Sequence, residues 1–206
     1  PVTTRDGRAL AVLANAAQGR ALTGLEFASG IPGTLGGAVV MNAGAYGGEM
    51  RHIIETVTVL DETGAQHVLS VEELELGYRT SCILKKHYIV TQAVLKLAAG
   101  EEQAIRARMK ELATQRAEKH PLEYPSAEST FKRPEGYFAG KLIMDAGLRG
   151  YRVGGAQVSQ KHCGFVVNTG NATAQDVRTL IADVSAEVDR QFQVKLEPEI
   201  KMLGEF

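Results

Sequence analysis

A glycine-rich run is the part of the sequence best suited to contact a ligand. Seven glycines stand among residues 30–48, and the run contains no charged residue. Glycine has no Cβ, so other groups can approach its backbone closely, and it adopts positive φ readily. Such backbone can present several N–H groups to a phosphate or a flat ring. We therefore predict a ligand site here, the alternative being a glycine-rich turn between buried strands.

The run lacks the two glycine patterns that most often bind nucleotides. Neither G-x-G-x-x-G nor G-x-x-x-x-G-K-S/T occurs where a strand leads into a helix. The sequence therefore argues against an ordinary Rossmann or P-loop site.

The run also begins a series of blocks that resembles one enzyme family. After residues 24–48, matching blocks follow at 77–81, 124–132, 154–159 with 161–162, and 196–199. Together they resemble UDP-N-acetylenolpyruvoylglucosamine reductase (MurB), a flavoenzyme of peptidoglycan precursor synthesis. The chain has no room for the tyrosine-bearing loop of one subgroup, so it is similar to the shorter, second subtype.

The resemblance implies two cofactors, FAD and NADPH, and no metal. NADPH would enter and leave through the place of the substrate, so no separate dinucleotide pattern is needed. The expected FAD-binding residues are Gly30, Ile31, Pro32, Gly33, Thr34, Gly36, Gly37, Asn42, Ala43, Gly44, Ala45 and Tyr46.

Three residues stand at the family's catalytic positions: Arg79, Ser129 and Glu199. Hydride delivery to an enolpyruvyl ether builds negative charge beside the attacked carbon and then requires a proton. Arg79 would hold the carboxylate, Ser129 would give the proton, and a protonated Glu199 would donate a hydrogen bond to the enol. From the residues alone, a surface ion pair, a turn serine and a solvated glutamate are the alternatives.

The substrate implied by the resemblance is a UDP-sugar with an enolpyruvyl ether. Its diphosphate needs cations, and the expected contacts are Lys132, Arg133 and Gln157. Lys141 and Lys161 are further candidates, although any of these lysines could be a surface residue.

Two positions depart from the family pattern. Glu128 stands where the family usually has glycine, directly before Ser129. If this position needs positive φ, glutamate introduces strain and adds negative charge beside the reacting group. Cys163 replaces a small alanine and should fit as a small hydrophobe.

The composition is that of an ordinary globular enzyme. The 206 residues are 44% hydrophobic with a net charge of −1, which gives no general reason to bind nucleic acid. No apolar run approaches the ~20 residues that cross a bilayer, and no signal peptide is recognisable. We therefore expect a cytoplasmic monomer without membrane association, with Cys82 and Cys163 as free thiols.

The expected fold class is α+β. Residues 1–100 would be the later part of an FAD-binding domain of the PCMH or vanillyl-alcohol-oxidase type, and residues 101–206 a smaller α+β substrate-binding domain. Because the chain opens with Pro1 and its first methionine is Met41, we expect the N-terminal part of the flavin domain to be missing.

The hydrophobic periodicity predicts the elements that must position these residues. Helices are predicted over residues 8–19, 101–120, 138–146 and 172–192. Strands are predicted over residues 53–60, 66–70, 88–97, 157–158, 164–168 and 198–203, with a turn at residues 61–64.

The expected function is therefore the reduction of UDP-N-acetylglucosamine enolpyruvate to UDP-N-acetylmuramate. Retention of Arg79, Ser129 and Glu199 together favours this over another flavin oxidoreductase of the same broad fold. A catalytically silent fragment or divergent homologue that binds a UDP-sugar is the alternative from a different class, motivated by Glu128 and by the start of the chain.

Overall fold

The chain folds into two compact units in a computed structural model that describes residues 1–204. The first unit is Pro1–Arg116, and the second begins at Ala117. Helix 102–119, which was predicted to follow a domain boundary near residue 100, therefore lies largely in the first unit. The boundary near residue 100 concerns functional domains and stays a prediction.

The first unit is built around an antiparallel sheet. Its strands are β1 (Val2–Arg5), β2 (Leu22–Thr23), β3 (Gly44–Ala45), β4 (Gly48–Glu49), β5 (Ile54–Leu60), β6 (Gln66–Ser70), β7 (Ile89–Leu95) and β8 (Ala98–Ala99). Within residues 1–204, the strand order in the main sheet is β1-β7-β5-β6, while β2 pairs with β8 and β3 with β4.

The predicted hairpin at residues 53–70 is confirmed. Strands β5 and β6 pair antiparallel, from Thr56 opposite Ser70 to Leu60 opposite Gln66. Asp61 closes the turn, because its Oδ1 accepts hydrogen bonds from the backbone N–H groups of Thr63 and Ala65 at 2.9 and 3.0 Å. The hydroxyl of Thr63 and the ring of His67 bond the same carboxylate and hold the pKa of Asp61 well below its usual range.

The helices of the first unit are α1 (Leu10–Gln18), α2 (Leu35–Val40), α3 (Cys82–Lys85) and α4 (Glu102–Lys119), the last of which ends in the second unit. The predicted amphipathic helix is confirmed in α1, which buries Leu10, Leu13, Ala14 and Ala17 on one face. Helix α2 lies inside the glycine-rich run, where no helix was predicted. It forms because Thr34 caps its N-terminus and its face with Leu35 and Val39 is buried in the core.

The second unit packs two helices on a second antiparallel sheet. Its elements are β9 (Ser126–Ser129), α5 (Ala139–Asp145), β10 (Arg152–Val153), β11 (Ala156–Val158), β12 (Phe165–Asn168) and α6 (Ala174–Phe192). For the part of the chain up to residue 204, the sheet order is β10-β11-β12-β9. A reciprocal capping box of Thr173 and Asp176 begins α6, whose buried face joins the core around Ile143 and Val158.

The predicted strand over residues 198–203 is wrong. The segment forms an isolated bridge between Phe131 and Pro198, and the pairing extends no further among the described residues. Pro198 itself makes the bridge, since the two hydrogen bonds that define it come from the N–H groups of Lys132 and Glu199, and the chain then bends at Ile200.

Several general properties follow from the described residues. Cys82 and Cys163 are buried free thiols, as predicted, and burial raises the pKa of each. Within residues 1–204 no cluster of three or more histidine, cysteine, aspartate or glutamate side chains is arranged to hold a metal ion. No helix in the same range has the length and apolar character needed to span a membrane.

A partly buried histidine lies at the edge of the second core. The ring of His162 is in edge-on contact with Phe165, with ring centres 5.0 Å apart, and its Nδ1 accepts a hydrogen bond from the backbone N–H of Gly164 at 3.1 Å. Burial disfavours the charged imidazolium and lowers the pKa of His162 below its ordinary 6.5.

This predicts a loss of stability in mild acid that His162→Asn reduces. The unfolded chain binds a proton near pH 6.5 more readily than the native ring does, so the free energy of unfolding falls as the pH decreases below that value. Asparagine does not titrate, and its Oδ1 can still accept from Gly164. Chemical denaturation at several pH values between 6.5 and about 5.5 gives the free energy of unfolding as a function of pH. This free energy should fall less steeply with decreasing pH in H162N than in wild type, while the exposed control H87N should keep the wild-type pH dependence. An equal pH dependence of the free energy of unfolding in wild type and H162N would contradict this prediction.

Candidate functional site

The C-terminal end of α2 is closed by Asn42. Its backbone adopts the left-handed conformation, with φ 43°, just beyond the helix. The N–H of Ala43 donates to the carbonyl of Ala38 at 2.8 Å, and the N–H of Asn42 donates to the carbonyl of Val39 at 3.1 Å. This is the Schellman pattern, in which asparagine is the common substitute for glycine.

The next part of the run is a short hairpin in which glycine is required by close packing. A Cβ on Gly44 would lie 2.8 Å from the carbonyl oxygen of Gly48, and one on Gly48 would lie 2.6 Å from the ring of Phe27. Tyr46 and Gly47 form the two-residue loop, with φ 52° and 84°. Two positive φ values are typical of a type I′ hairpin turn, which leaves the Tyr46 side chain at the surface.

The first part of the run combines exposed glycines with amides that the fold already uses. The N–H groups of Leu35 and Gly36 donate to the carbonyls of Arg8 and Asp6, both at 2.9 Å. In contrast, Gly33 is exposed with φ 131°, and a Cβ there would meet no protein atom within 4 Å. Open backbone in this conformation suits a ligand that lies against the chain.

Gly30 is held by a cation from α4. The guanidinium of Arg116 donates a hydrogen bond to the carbonyl of Gly30, and a Cβ on Gly30 would lie 2.9 Å from a guanidinium nitrogen. The start of the glycine-rich run is therefore fixed by a residue 86 positions further along the chain.

Arg79 lies at the tip of a strained turn. Gly77 and Thr80 form an isolated bridge, in which the N–H of Gly77 donates to the carbonyl of Thr80 at 3.0 Å. Arg79 is the third residue of this turn and has φ 54°, a conformation normally left to glycine or asparagine. The half-buried guanidinium lies 5.3 Å from the centre of the Tyr78 ring.

A cavity of about 190 Å³ brings this turn together with the glycine-rich hairpin. Its lining residues are Asn42, Gly44, Ala45, Tyr46, Gly47, Gly48, Glu49, Tyr78 and Arg79. A larger groove of about 770 Å³ is lined by residues 3–9 with Val12 and Gln92. None of these lining residues was predicted to belong to a site. The smaller cavity is therefore the candidate site of the first unit.

Ser129 lies at the end of β9, directly after a β-bulge. Ser129 is opposite Phe165 and Ser126 is opposite Val167, so three steps along β9 match two along β12. Glu128 lies in the bulge with φ 50°. A bulge residue with positive φ is usually glycine, which explains the glycine expected here from the family resemblance and shows that the strained conformation considered for Glu128 is present.

The segment with Glu199 runs antiparallel to the residues that follow Ser129. The N–H of Glu199 donates to the carbonyl of Thr130 at 2.9 Å, and the N–H of Lys132 donates to the carbonyl of Glu197 at 2.8 Å. The ammonium group of Lys132 also pairs with the carboxylate of Glu197. The two glutamates are thereby distinguished, because Glu197 neutralises a cation while half-buried Glu199 lies opposite the residue next to Ser129.

The other predicted substrate residues lie in the second unit with their polar groups engaged. Arg133 packs over the Phe138 ring at 4.0 Å, and its Nε donates to the carbonyl of Tyr137. Gln157 donates to the carbonyl of Gly150 at 3.0 Å. Lys141 pairs with Asp145, and Lys161 donates to the carbonyl of Ala117. Their roles in substrate binding stay predictions.

The predicted catalytic residues thus lie in both units. Arg79 belongs to the first unit with the glycine-rich run, and Ser129 and Glu199 belong to the second. The sequence analysis missed the buried Ser81, whose hydroxyl donates to the carbonyl of Val40 at 2.7 Å, and it missed Glu49. The sequence could have predicted that a helix ends at Asn42, because this asparagine directly follows an apolar run.

Comparison with known proteins accounts for both units. Residues 2–70 match the family model of the FAD binding domain, and residues 120–203 match that of the UDP-N-acetylenolpyruvoylglucosamine reductase C-terminal domain. The reductase of that name from Clostridium perfringens strain SM101 is 53% identical over 203 residues, which cover 98% of this chain and 67% of the relative. The chain belongs to the UDP-N-acetylenolpyruvoylglucosamine reductase family.

Two further relatives agree with this membership. The family member from Agathobacter rectalis is 60% identical over 205 residues, covering 100% of this chain and 65% of the relative. The crystal structure of the MurB enzyme from Thermus caldophilus matches with a TM-score of 0.85 and 40% identity, covering 96% of this chain and 71% of that one. The chain therefore spans about two thirds of the length of the relatives it matches. The α+β fold, with residues matching an FAD binding domain ahead of residues matching the family's C-terminal domain, is confirmed.

The left-handed backbone of Glu128 generates a stability prediction. Glu128→Gly should raise the free energy of unfolding by about 0.5–1 kcal/mol, because the relief of left-handed strain exceeds the added flexibility of glycine. Glu128→Ala removes the same exposed side chain but keeps a Cβ, so its stability should stay within about 0.5 kcal/mol of wild type. Urea denaturation of the three proteins measures the difference, and an E128G protein no more stable than E128A would count against the strain.

Proposed function

We propose that the protein is an FAD-dependent, NADPH-using reductase that converts UDP-N-acetylglucosamine enolpyruvate to UDP-N-acetylmuramate in peptidoglycan precursor synthesis. The observation that most supports this is the cavity of the first unit. Arg79 lines it together with Asn42, Tyr46 and the hairpin glycines, and residues 2–70 match an FAD binding domain. A carboxylate-binding cation beside a flavin site is what reduction of an enolpyruvyl group requires.

The residues of the glycine-rich run fit a flat cofactor with a diphosphate. Gly33 offers open backbone, and the run is uncharged. Gly30, Ile31, Pro32, Gly33, Thr34, Gly36, Gly37, Ala43, Gly44, Ala45 and Tyr46 would hold FAD through backbone groups and small side chains. When bound and reduced, FAD supplies the hydride.

Arg79 would bind the enolpyruvyl carboxylate. Its planar guanidinium can form two parallel hydrogen bonds to that group, and its permanent charge opposes the negative charge that develops beside the attacked carbon. Lys132, Arg133 and Gln157 would contact the UDP-sugar from the second unit, with Lys132 exchanging Glu197 for a phosphate.

Ser129 would give the proton to the carbanionic carbon, and Glu199 would orient the enol. The bulge at Glu128 directs the chain so that Ser129 ends β9 at the surface. The backbone bond from Glu199 to Thr130 keeps the glutamate segment beside it. The side chain of Glu199 would orient the developing enolate, while Glu128 adds a negative charge next to Ser129 that opposes the same charge development.

The remaining expectations are part of the same proposal. The protein acts in the cytoplasm as a monomer, binds neither nucleic acid nor membrane, and supports cell-wall synthesis, cell shape and cell division through its product.

The deciding experiment follows NADPH absorbance in the presence of FAD and the enolpyruvyl UDP-sugar. It uses this chain and a version extended to the length of the Agathobacter rectalis relative with that relative's sequence, called the extended protein. Substrate-dependent oxidation in the extended protein supports the reductase. Ligand-induced thermal stabilisation without turnover, in a protein that binds flavin, would instead identify a catalytically silent UDP-sugar-binding protein.

Ser129→Ala tests the proton donor. Substrate-dependent NADPH oxidation should fall by about 10²- to 10⁴-fold, the usual contribution of a positioned acid, while binding of the UDP-sugar is retained. Ser185→Ala is the matched control, because Ser185 lies on α6 and bonds the carbonyl of its own helix at Ile181. If S129A and S185A turn over at the same rate, Ser129 is not the donor.

A further inference from the structure

The side chain of Asn42 is committed to the protein interior. Asn42 is 2% exposed, and its Nδ2 donates to the Glu49 carboxylate at 2.8 Å and to the carbonyl of Gly77 at 3.1 Å. Its Oδ1 accepts from the N–H of Arg51 at 3.0 Å. Both amide protons and the amide oxygen are in use, so the side chain has no remaining donor for a ligand.

Asparagine is the residue that meets both demands of this position. Its backbone tolerates the left-handed conformation that ends α2, and its amide donates to two acceptors while it accepts from a third group. Glycine would meet the backbone demand and lose every side-chain bond. Aspartate would lose the donors and place its carboxylate beside that of Glu49.

The bond from Asn42 to Gly77 ties the Arg79 turn to the end of α2, and another bond does the same from the other side of the turn. The second runs from the fully buried hydroxyl of Ser81 to the carbonyl of Val40 at 2.7 Å. Gly77 and Ser81 lie two residues before and two residues after Arg79. Both ends of the segment that presents Arg79 are therefore fixed on the same helix terminus.

A turn of this kind needs such support. A non-glycine residue in the left-handed region, like Arg79 at φ 54°, persists when surrounding contacts determine its conformation. The bridge between Gly77 and Thr80 closes the turn locally, and the bonds from Asn42 and Ser81 fix it relative to the glycine-rich hairpin.

We propose that Asn42 is a positioning residue for Arg79. It fixes the turn through the carbonyl of Gly77, so that the guanidinium is presented at a set place in the cavity where it meets the substrate carboxylate. This inference rests on the proposed function, because Arg79 is assigned the carboxylate there. Its structural part, the hold of Asn42 on the turn, can be measured without turnover.

The experiment compares Asn42→Asp and Asn42→Gly with wild type in the flavin-loaded protein. Hydrogen exchange of the Gly77 and Thr80 amides should accelerate at least about tenfold in both variants, while exchange in β5 is unchanged. Reduction of the flavin by NADPH, which does not use the enolpyruvyl carboxylate, should keep its rate. Reoxidation by the enolpyruvyl substrate should slow by about 10- to 100-fold, the effect of a misplaced catalytic group.

The Arg79→Lys background separates positioning from general destabilisation. If Asn42 acts through Arg79, N42D should slow reoxidation by less than about threefold when Arg79 is already replaced. Asp61→Ala is the matched control, since it removes the turn bonds at the β5–β6 hairpin of the same unit and should leave both half-reactions unchanged.

Each result decides the inference. Three results would overturn it: unchanged hydrogen exchange at Gly77 and Thr80, an equal slowing of reoxidation in D61A, or an undiminished effect of N42D on reoxidation in the R79K background. A wild-type protein that binds flavin but never reduces the substrate would overturn the proposed function instead, and the exchange data would still show whether Asn42 holds the turn.

Discussion

The amide of Asn42 connects the parts of the first unit that the proposed chemistry needs. It lies where α2 ends in a left-handed residue. From there it bonds the hairpin through Glu49, the residues just after the hairpin through the N–H of Arg51, and the Arg79 turn through Gly77. A buried amide with all its partners present is rigid, because any displacement leaves a polar group without compensation. The cavity therefore depends on a small polar network beneath the glycine-rich surface.

Left-handed backbone at residues other than glycine occurs at two lining residues of the cavity and, in the second unit, directly before Ser129. Tyr46, Arg79 and Glu128 all have φ between 50° and 54°. Each is at a position where glycine would be easier, and each brings a side chain to a surface that glycine would leave bare. Conformational strain of this kind is concentrated at functional sites. In this protein the strain at Arg79 and Tyr46 coincides with a cavity wall, while the strain at Glu128 immediately precedes the predicted proton donor.

The helices and strands could be predicted from local sequence patterns. For the site, only the residue types could be predicted, and not their arrangement. The amphipathic period of α1 and the β-branched hairpin around Asp61 are properties of neighbouring residues, so their bounds were close to correct. Helix α2 was missed because two glycines weaken its propensity, and burial of Leu35 and Val39 overrides that weakness. The predicted strand after Glu197 is limited to the bridge at Pro198, because the chain bends at Ile200.

The tertiary partners of the site residues could not be predicted from sequence spacing. The bond from Asn42 to Gly77 joins positions 35 residues apart, and the bond from Arg116 to Gly30 joins positions 86 apart. The sequence resemblance identified Arg79 and Ser129 as residue types at matching positions. The glycine expected at position 128 pointed to positive φ there, but the bulge itself depends on pairing with β12, and the position of the Arg79 turn depends on its bonds to Asn42 and Val40.

The bulge in β9 constrains chain length more strictly than residue type. Exchange of Glu128 for another amino acid leaves three steps of β9 opposite two of β12 and keeps the bend that precedes Ser129. Removal of a single residue between Ser126 and Ser129 would restore regular pairing and straighten the strand. We therefore expect natural variation in this segment to consist of substitutions, with insertions and deletions confined to the loops outside it.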